Sequence, residues 1–238
     1  FVILFSAFII IEKRITSPLV DLSLFKSKGY NAAVISNFLL NMCAGCLFVL
    51  MPYIQTTRGL SSFQSGLVTV SYLISIVATI RVGEKVMVKT GARIPMAVGT
   101  FMAAVGIFLM TLTFLPNFAY FTAVVAGLAI MGTGFGFYAT PSTNTAVGNV
   151  PQEKAGSASG IYKMASSLGG SFGVAISGAV TTAVIMQNQA AQNLSAGLGL
   201  GVSVVAGTIS LIAVLTLLSR DGKNKTLSVN LEIEKLAA

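Results

Sequence analysis

The chain has 238 residues, of which 54% are hydrophobic and only 9% charged, with a mean hydropathy of +0.84; an ordinary soluble domain carries about 25% charged residues. This composition excludes a soluble globule, and the apolar runs recur along the whole length rather than in one amino-terminal signal. Histidine is absent and acids are few, so histidine triads, zinc sites and haem ligation have nothing to work with, and neither an enzyme nor a cofactor or metal is expected.

Residues 1–11 form an apolar run that ends at Glu12, Lys13 and Arg14. It is shorter than the roughly 20 residues a membrane helix needs, and is expected to be the end of a linker span that begins upstream. Residues 12–29 read as a cytoplasmic connector. Six longer apolar runs follow, each near the length that crosses a hydrocarbon core of about 30 Å, and together they predict an all-α integral membrane bundle over residues 30–219.

The first run covers residues 30–54. It contains Asn37 and Asn41, four residues apart and therefore on one helix face. Amides at this depth need partners or water, so they line a substrate path or bond neighbouring helices. Cys43 and Cys46 have C-x-x-C spacing, but in an apolar helix cysteine behaves as a small hydrophobe. The second run covers residues 65–80 and continues toward Gly83. A short basic loop, RVGEKVMVKTGARIP, is expected to follow, with Arg81 and Glu84 at the membrane edge and Lys85, Lys89, Gly91 and Arg93 beyond.

The third run covers residues 94–114. After a turn at Leu115, Pro116 and Asn117, the fourth covers residues 119–139 and is expected to stop before Pro141, which cannot donate to a continuing helix. Its Gly127, Gly132, Gly134 and Gly136 superficially resemble a nucleotide-binding loop. Such a site needs a strand and a tight turn ahead of the helix, so packing against another helix is the expectation for Gly132 and Gly136.

The fifth run, PQEKAGSASGIYKMASSLGGSFGVAISGAV over residues 151–180, is built from glycine, alanine and serine with one lysine. Proline is acceptable in a first turn. Lipid tails gain little from small side chains, so such a span brings backbones together; Gly156 with Gly160 and Gly169 with Gly173 have the matching small-x-x-x-small spacing. Lys163, Ser166, Ser167, Gly170, Gly173, Val174 and Ser177 recur at intervals of three, four and seven and make one stripe. Lys163 lies about 10 Å inside the span. From there it snorkels to the headgroups or projects into a cavity, and its place on the stripe favours the cavity. The sixth run covers residues 198–218, and residues 220–238 form a short tail.

If the spans alternate, fourteen of the 15 basic residues fall on one side, leaving Arg58 opposite. Lysine and arginine collect on the cytoplasmic side, so the tail is cytoplasmic. The net charge of +8 is accounted for by this bias, without a dense basic cluster of the kind nucleic acid would need.

RVGEKVMVKTGAR, the segment GFGFYATPSTNTAVGNVPQEKAGSASGIYKMASSLGGSFGVAISGAV and the six-span layout together resemble the carboxy-terminal half of a major facilitator superfamily transporter. The likeness is strongest to the fourteen-span drug:proton antiporters, the NorB-like quinolone and multidrug exporters. It implies a bundle of two inverted three-helix repeats, a missing amino-terminal half as partner, cargo of small amphipathic drugs bound between the halves, exchange against protons, and a bacterial plasma membrane. In that light Lys163, Asn37, Asn41, Ser167 and Gly170 are the cavity candidates. Arg81, Glu84, Lys89, Gly91 and Arg93 are candidates for a gating loop, with Val88 where the family motif has an aspartate. Some relatives carry acids within spans two and five; none lies mid-span here, so coupling is expected to depend mainly on the other half. The competing expectations are a porter for an endogenous metabolite or lipid precursor, and a membrane module or truncated product without transport of its own.

Overall fold

A computed structural model describes residues 22–187 and 191–218. The expected end of a linker span at residues 1–11, the first part of the connector and the tail at residues 220–238 lie outside the described residues. A 3-10 turn at Leu22–Lys26 precedes α1 (Lys28–Ala44), where the Ser27 hydroxyl accepts from the Tyr30 amide at 3.3 Å and satisfies one of the orphan donors of the first turn. α1 passes into α2 (Leu47–Thr56) through a tightened turn, with the Gly45 and Cys46 amides donating to Met42 and Cys43 carbonyls at 3.1 Å. The two make one membrane-length unit of 29 residues.

α3 (Ser62–Thr90) opens on a capping box between Ser61 and Gln64. α4 (Arg93–Met110), α5 (Asn117–Gly148), α6 (Ala155–Gln187) and α7 (Gln192–Leu217) complete six candidate spans. Among the described residues there is no strand. A backbone in lipid must satisfy its own hydrogen bonds, which helices do within one segment.

Two boundaries differ from the sequence expectation. The basic stretch after residue 80 is helix, not loop: α3 runs to Thr90, and Gly91 and Ala92 alone connect it to α4. Nothing in RVGEKVMVKT stops a helix, whereas Gly91 adopts φ +81°, which costs glycine little. Nor does α5 end before Pro141. The missing proline amide frees the carbonyl four residues back, on Phe137. That carbonyl lies against Gly83 of α3, where a Cβ would stand 2.7 Å from the oxygen, so the freed group is covered by protein instead of lipid.

The main packing pairs are α3 with α5, α4 with α5, α1 with α6, α4 with α7 and α1 with α7. Exchanging the first three spans for the last three maps α3·α5 onto α6·α1 and α4·α5 onto α7·α1. Because three is odd, the two repeats are inverted with respect to each other. α1 also meets α5. The neighbours therefore form a front layer in the order α3, α5, α1, α6, with α4 and α7 behind.

Glycines set the closest crossings. Gly99 and Gly106 of α4 face Gly134 and Gly127 of α5 in antiparallel register, each backbone occupying the place of the other's Cβ. Gly132 and Gly136 lie against Tyr72 and Ile76 of α3, and Gly169 and Gly173 against Phe38 and Met42 of α1. The two ends of the bundle are cross-braced. At the end that carries the α3–α4 and α5–α6 connections, Ser36 bonds Tyr138 at 2.5 Å, Tyr162 donates to Ser142 at 3.0 Å, and Tyr30 donates to the Ala158 carbonyl at 3.1 Å.

At the opposite end Arg58 bonds the Tyr53 hydroxyl at 2.8 Å, the Leu115 carbonyl at 3.1 Å, Asn117 at 2.8 Å and the Thr113 carbonyl. Its guanidinium also lies 4.6 Å from the Tyr120 ring centroid, a cation–π distance. Tyr53 in turn donates to Asn193 at 2.6 Å, so one arginine gathers three inter-helix connections.

In the full-length protein in detergent, Gly173→Leu is expected to cost about 2 kcal/mol or more by overpacking, whereas Gly170→Leu, with nothing opposite its Cβ position, leaves the thermal midpoint unchanged. Arg58→Gln should cost about 2 kcal/mol through lost charged hydrogen bonds, and Arg58→Lys should restore little of it because an ammonium cannot reproduce the planar fork. Thermal unfolding followed by fluorescence or circular dichroism measures both.

Candidate functional site: the open front face

Of the 29 residues of α3, only Ser65 and Gly83 are buried. Leu67, Ile74 and Val77, spaced by three or seven, are 63%, 63% and 74% exposed and follow one helix face. At the other edge of the front layer, Lys163, Met164, Ser167, Leu168, Ser171 and Phe172 of α6 are also exposed. The outer helices of the front layer thus present long faces that no described residue covers.

Lys163 is exposed eight residues into α6, about 12 Å along its axis. It has no hydrogen-bond or ion-pair partner among the described residues. Ser167 stands one turn further on the same side, and its carbonyl accepts from the Ser171 hydroxyl at 3.0 Å. The described acids are Glu84 and Glu153. Glu84 pairs with Arg81 at 3.7 Å near the end of α3, and Glu153 lies in the 3-10 turn before α6.

The stripe expected on the fifth span is divided. Lys163 and Ser167 are on the open side, while Gly173 and Ser177 are buried, Gly173 against α1 and Ser177 3.5 Å from Ser203 of α7. The stripe straddles the line where α6 turns from its neighbours toward the open face. Gly170 is half-buried with free space at its Cβ position. Gly156 and Gly160 also have nothing opposite them, so this first small-residue pair makes no helix contact among the described residues.

Asn37 is buried and donates to the Tyr162 carbonyl of α6 at 3.0 Å, and Asn41 donates to the Asn37 side chain at 2.8 Å. The pair holds α1 to α6. Of the two roles open to it in the sequence, bonding neighbouring helices is the one its geometry serves, because an amide in the membrane interior is satisfied by a nearby carbonyl.

The gating candidates do not converge. Arg81 and Glu84 form an exposed pair of the kind that contributes little, Lys89 is exposed one helical face along, and Gly91 makes the turn. Arg93 donates to the Leu215 carbonyl at 2.7 Å, tying α4 to α7 in the rear layer. Two groups escaped sequence reasoning. Arg58 carried a signal, being the lone base on its side, but the hydroxyls of Ser36, Tyr138, Ser142 and Tyr162 carried none.

A sequence model of the Major Facilitator Superfamily matches residues 7–174. Quinolone resistance protein NorB of Staphylococcus aureus (strain MRSA252) is 45% identical over 219 residues, covering 92% of this chain and 47% of that protein. NorB of strain COL is 46% identical over 216 residues, covering 91% and 46% respectively. The chain spans about half the length of the curated relatives it matches. A solved structure described as a bacterial homologue of the human drug peptide transporters PepT1 and PepT2 superposes with a TM-score of 0.69 at 20% identity, over 88% of this chain and 49% of that one, which is a likeness of fold. Six spans in two inverted repeats, and a family match across most of the sequence, lead to one assignment: the chain belongs to the Major Facilitator Superfamily.

Proposed function

We propose that the chain is the carboxy-terminal half of a multidrug exporter that moves small amphipathic molecules outward in exchange for protons. The observation that carries this reading is the open front face, where α3 and α6 expose apolar and small side chains and α6 carries Lys163 among them. An amino-terminal bundle covers that face in the complete protein, and cargo binds between the two bundles. The printed names of the relatives, quinolone resistance proteins, support a drug as cargo.

Lys163 and Ser167 contribute a cation and a hydroxyl to the cargo site, and Gly170 leaves room beside them. The cation suits a cargo with a carboxylate. Among the described residues no acid stands in the middle of a span, so the proton-carrying carboxylates belong to the companion half. The bias of basic residues supports a tail on the cytoplasmic side of a plasma membrane.

Lys163→Ala in the full-length protein, at equal expression, is expected to slow efflux of a carboxylate-bearing quinolone by about tenfold, the usual effect of truncating one anchoring contact, and to slow efflux of its methyl ester much less. Drug accumulation in cells with and without an uncoupler measures both. Unchanged efflux of the acid would make Lys163 a headgroup anchor.

A further inference from the structure

The two parallel helices α1 and α6 cross tightly at Gly169 and Gly173, with Gly45 seated on the Gly173 backbone. Beyond Gly45, in α2, that intimate contact ends and the helices part. The opening between them holds a cavity of about 270 Å³, walled by Phe48 and Thr56 of α2 and by Thr182 and Ile185 of α6, with Gln192 and Ser195 of α7 as its floor. Since α7 lies in the rear layer and α2 and α6 extend the front one, the cavity belongs to the same open face as Lys163. It stands at the other end: Thr182 is nineteen residues beyond Lys163, about 28 Å along the helix.

Its chemistry differs from that around Lys163. No lining residue is charged. Phe48 is 68% exposed and offers a ring face. The Gln192 carbonyl oxygen accepts from Thr57 at 3.0 Å, which leaves its amide hydrogens to donate, and the Thr182 hydroxyl has no partner among the described residues. Ring and donors together fit a neutral, planar molecule with carbonyl or ether oxygens, and ring stacking with a few placed donors is how small-molecule sites gain affinity and orientation. We infer that this cavity is a second, uncharged binding site for an aromatic amphipath, separate from the Lys163 region. Its role as the exit-side stop of an exported molecule rests on the export reading; its existence as a binding site does not.

The test uses the full-length protein in detergent and, as a neutral planar probe, the methyl ester of a fluorescent quinolone whose ring carries no basic amine. In a Lys163→Ala background, where the cationic region is silenced, Phe48→Ala and Thr182→Phe should each weaken probe binding by about tenfold, one by removing the ring and the other by filling the cavity. Thr122→Phe, on an exposed part of α5 away from the cavity, should not. Phe48 and Thr182 lie outside the packed core of this bundle, and thermal midpoints verify that neither change disturbs the fold. Equal affinity in all these proteins overturns the site. Export of the probe by the wild type is measured in vesicles alongside: export with equal affinities removes the outer site alone, whereas the expected affinity losses without wild-type export keep the site and remove the export reading.

Discussion

Everything in this bundle depends on backbone meeting backbone at glycine. In water, burying large side chains drives helices together, but lipid tails are as apolar as leucine and that gain is absent. What remains is close contact, and glycine is the residue that permits it. The pairs Gly99 with Gly134 and Gly106 with Gly127, and the rows Gly132–Gly136 and Gly169–Gly173, set α4 on α5, α5 on α3 and α6 on α1. From these crossings follow the two layers and the divergence of α2 from α6.

The polar groups divide the labour by depth. Hydroxyls of Ser36, Tyr138, Ser142 and Tyr162 join α1, α5 and α6 toward the end that carries the α3–α4 turn, and Arg58 joins the connections at the other. The partners are hydroxyls, side-chain amides and backbone carbonyls. With both ends tied, the six spans brace one another, and the face left untied is the one that α3 and α6 leave uncovered. Lys163 stands on that face without an acid near it in the described chain.

Part of this was legible in the residues. The number of spans and their class follow from apolar length. Of the glycines spaced for contact in spans four and five, Gly132, Gly136, Gly169 and Gly173 lie against neighbouring backbones, while the same spacing at Gly156 and Gly160 meets nothing. Pro141 looked like an end and is not one, because its effect depends on whether a neighbour covers the carbonyl it frees. The basic stretch from Arg81 to Lys89 looked like a loop because its charges interrupt the hydropathy, but charge does not break a helix and only Gly91 does.

The sequence by itself determined how many spans there are and roughly where each lies, since membrane thickness acts on composition one segment at a time. Only the tertiary structure decided which face of each helix is turned inward. In a soluble helix the contrast between core and water marks that face. Here lipid and core are both apolar, so the pattern carries little contrast, and the azimuth of Asn37, Ser177 or Lys163 is fixed by which neighbour approaches and how closely.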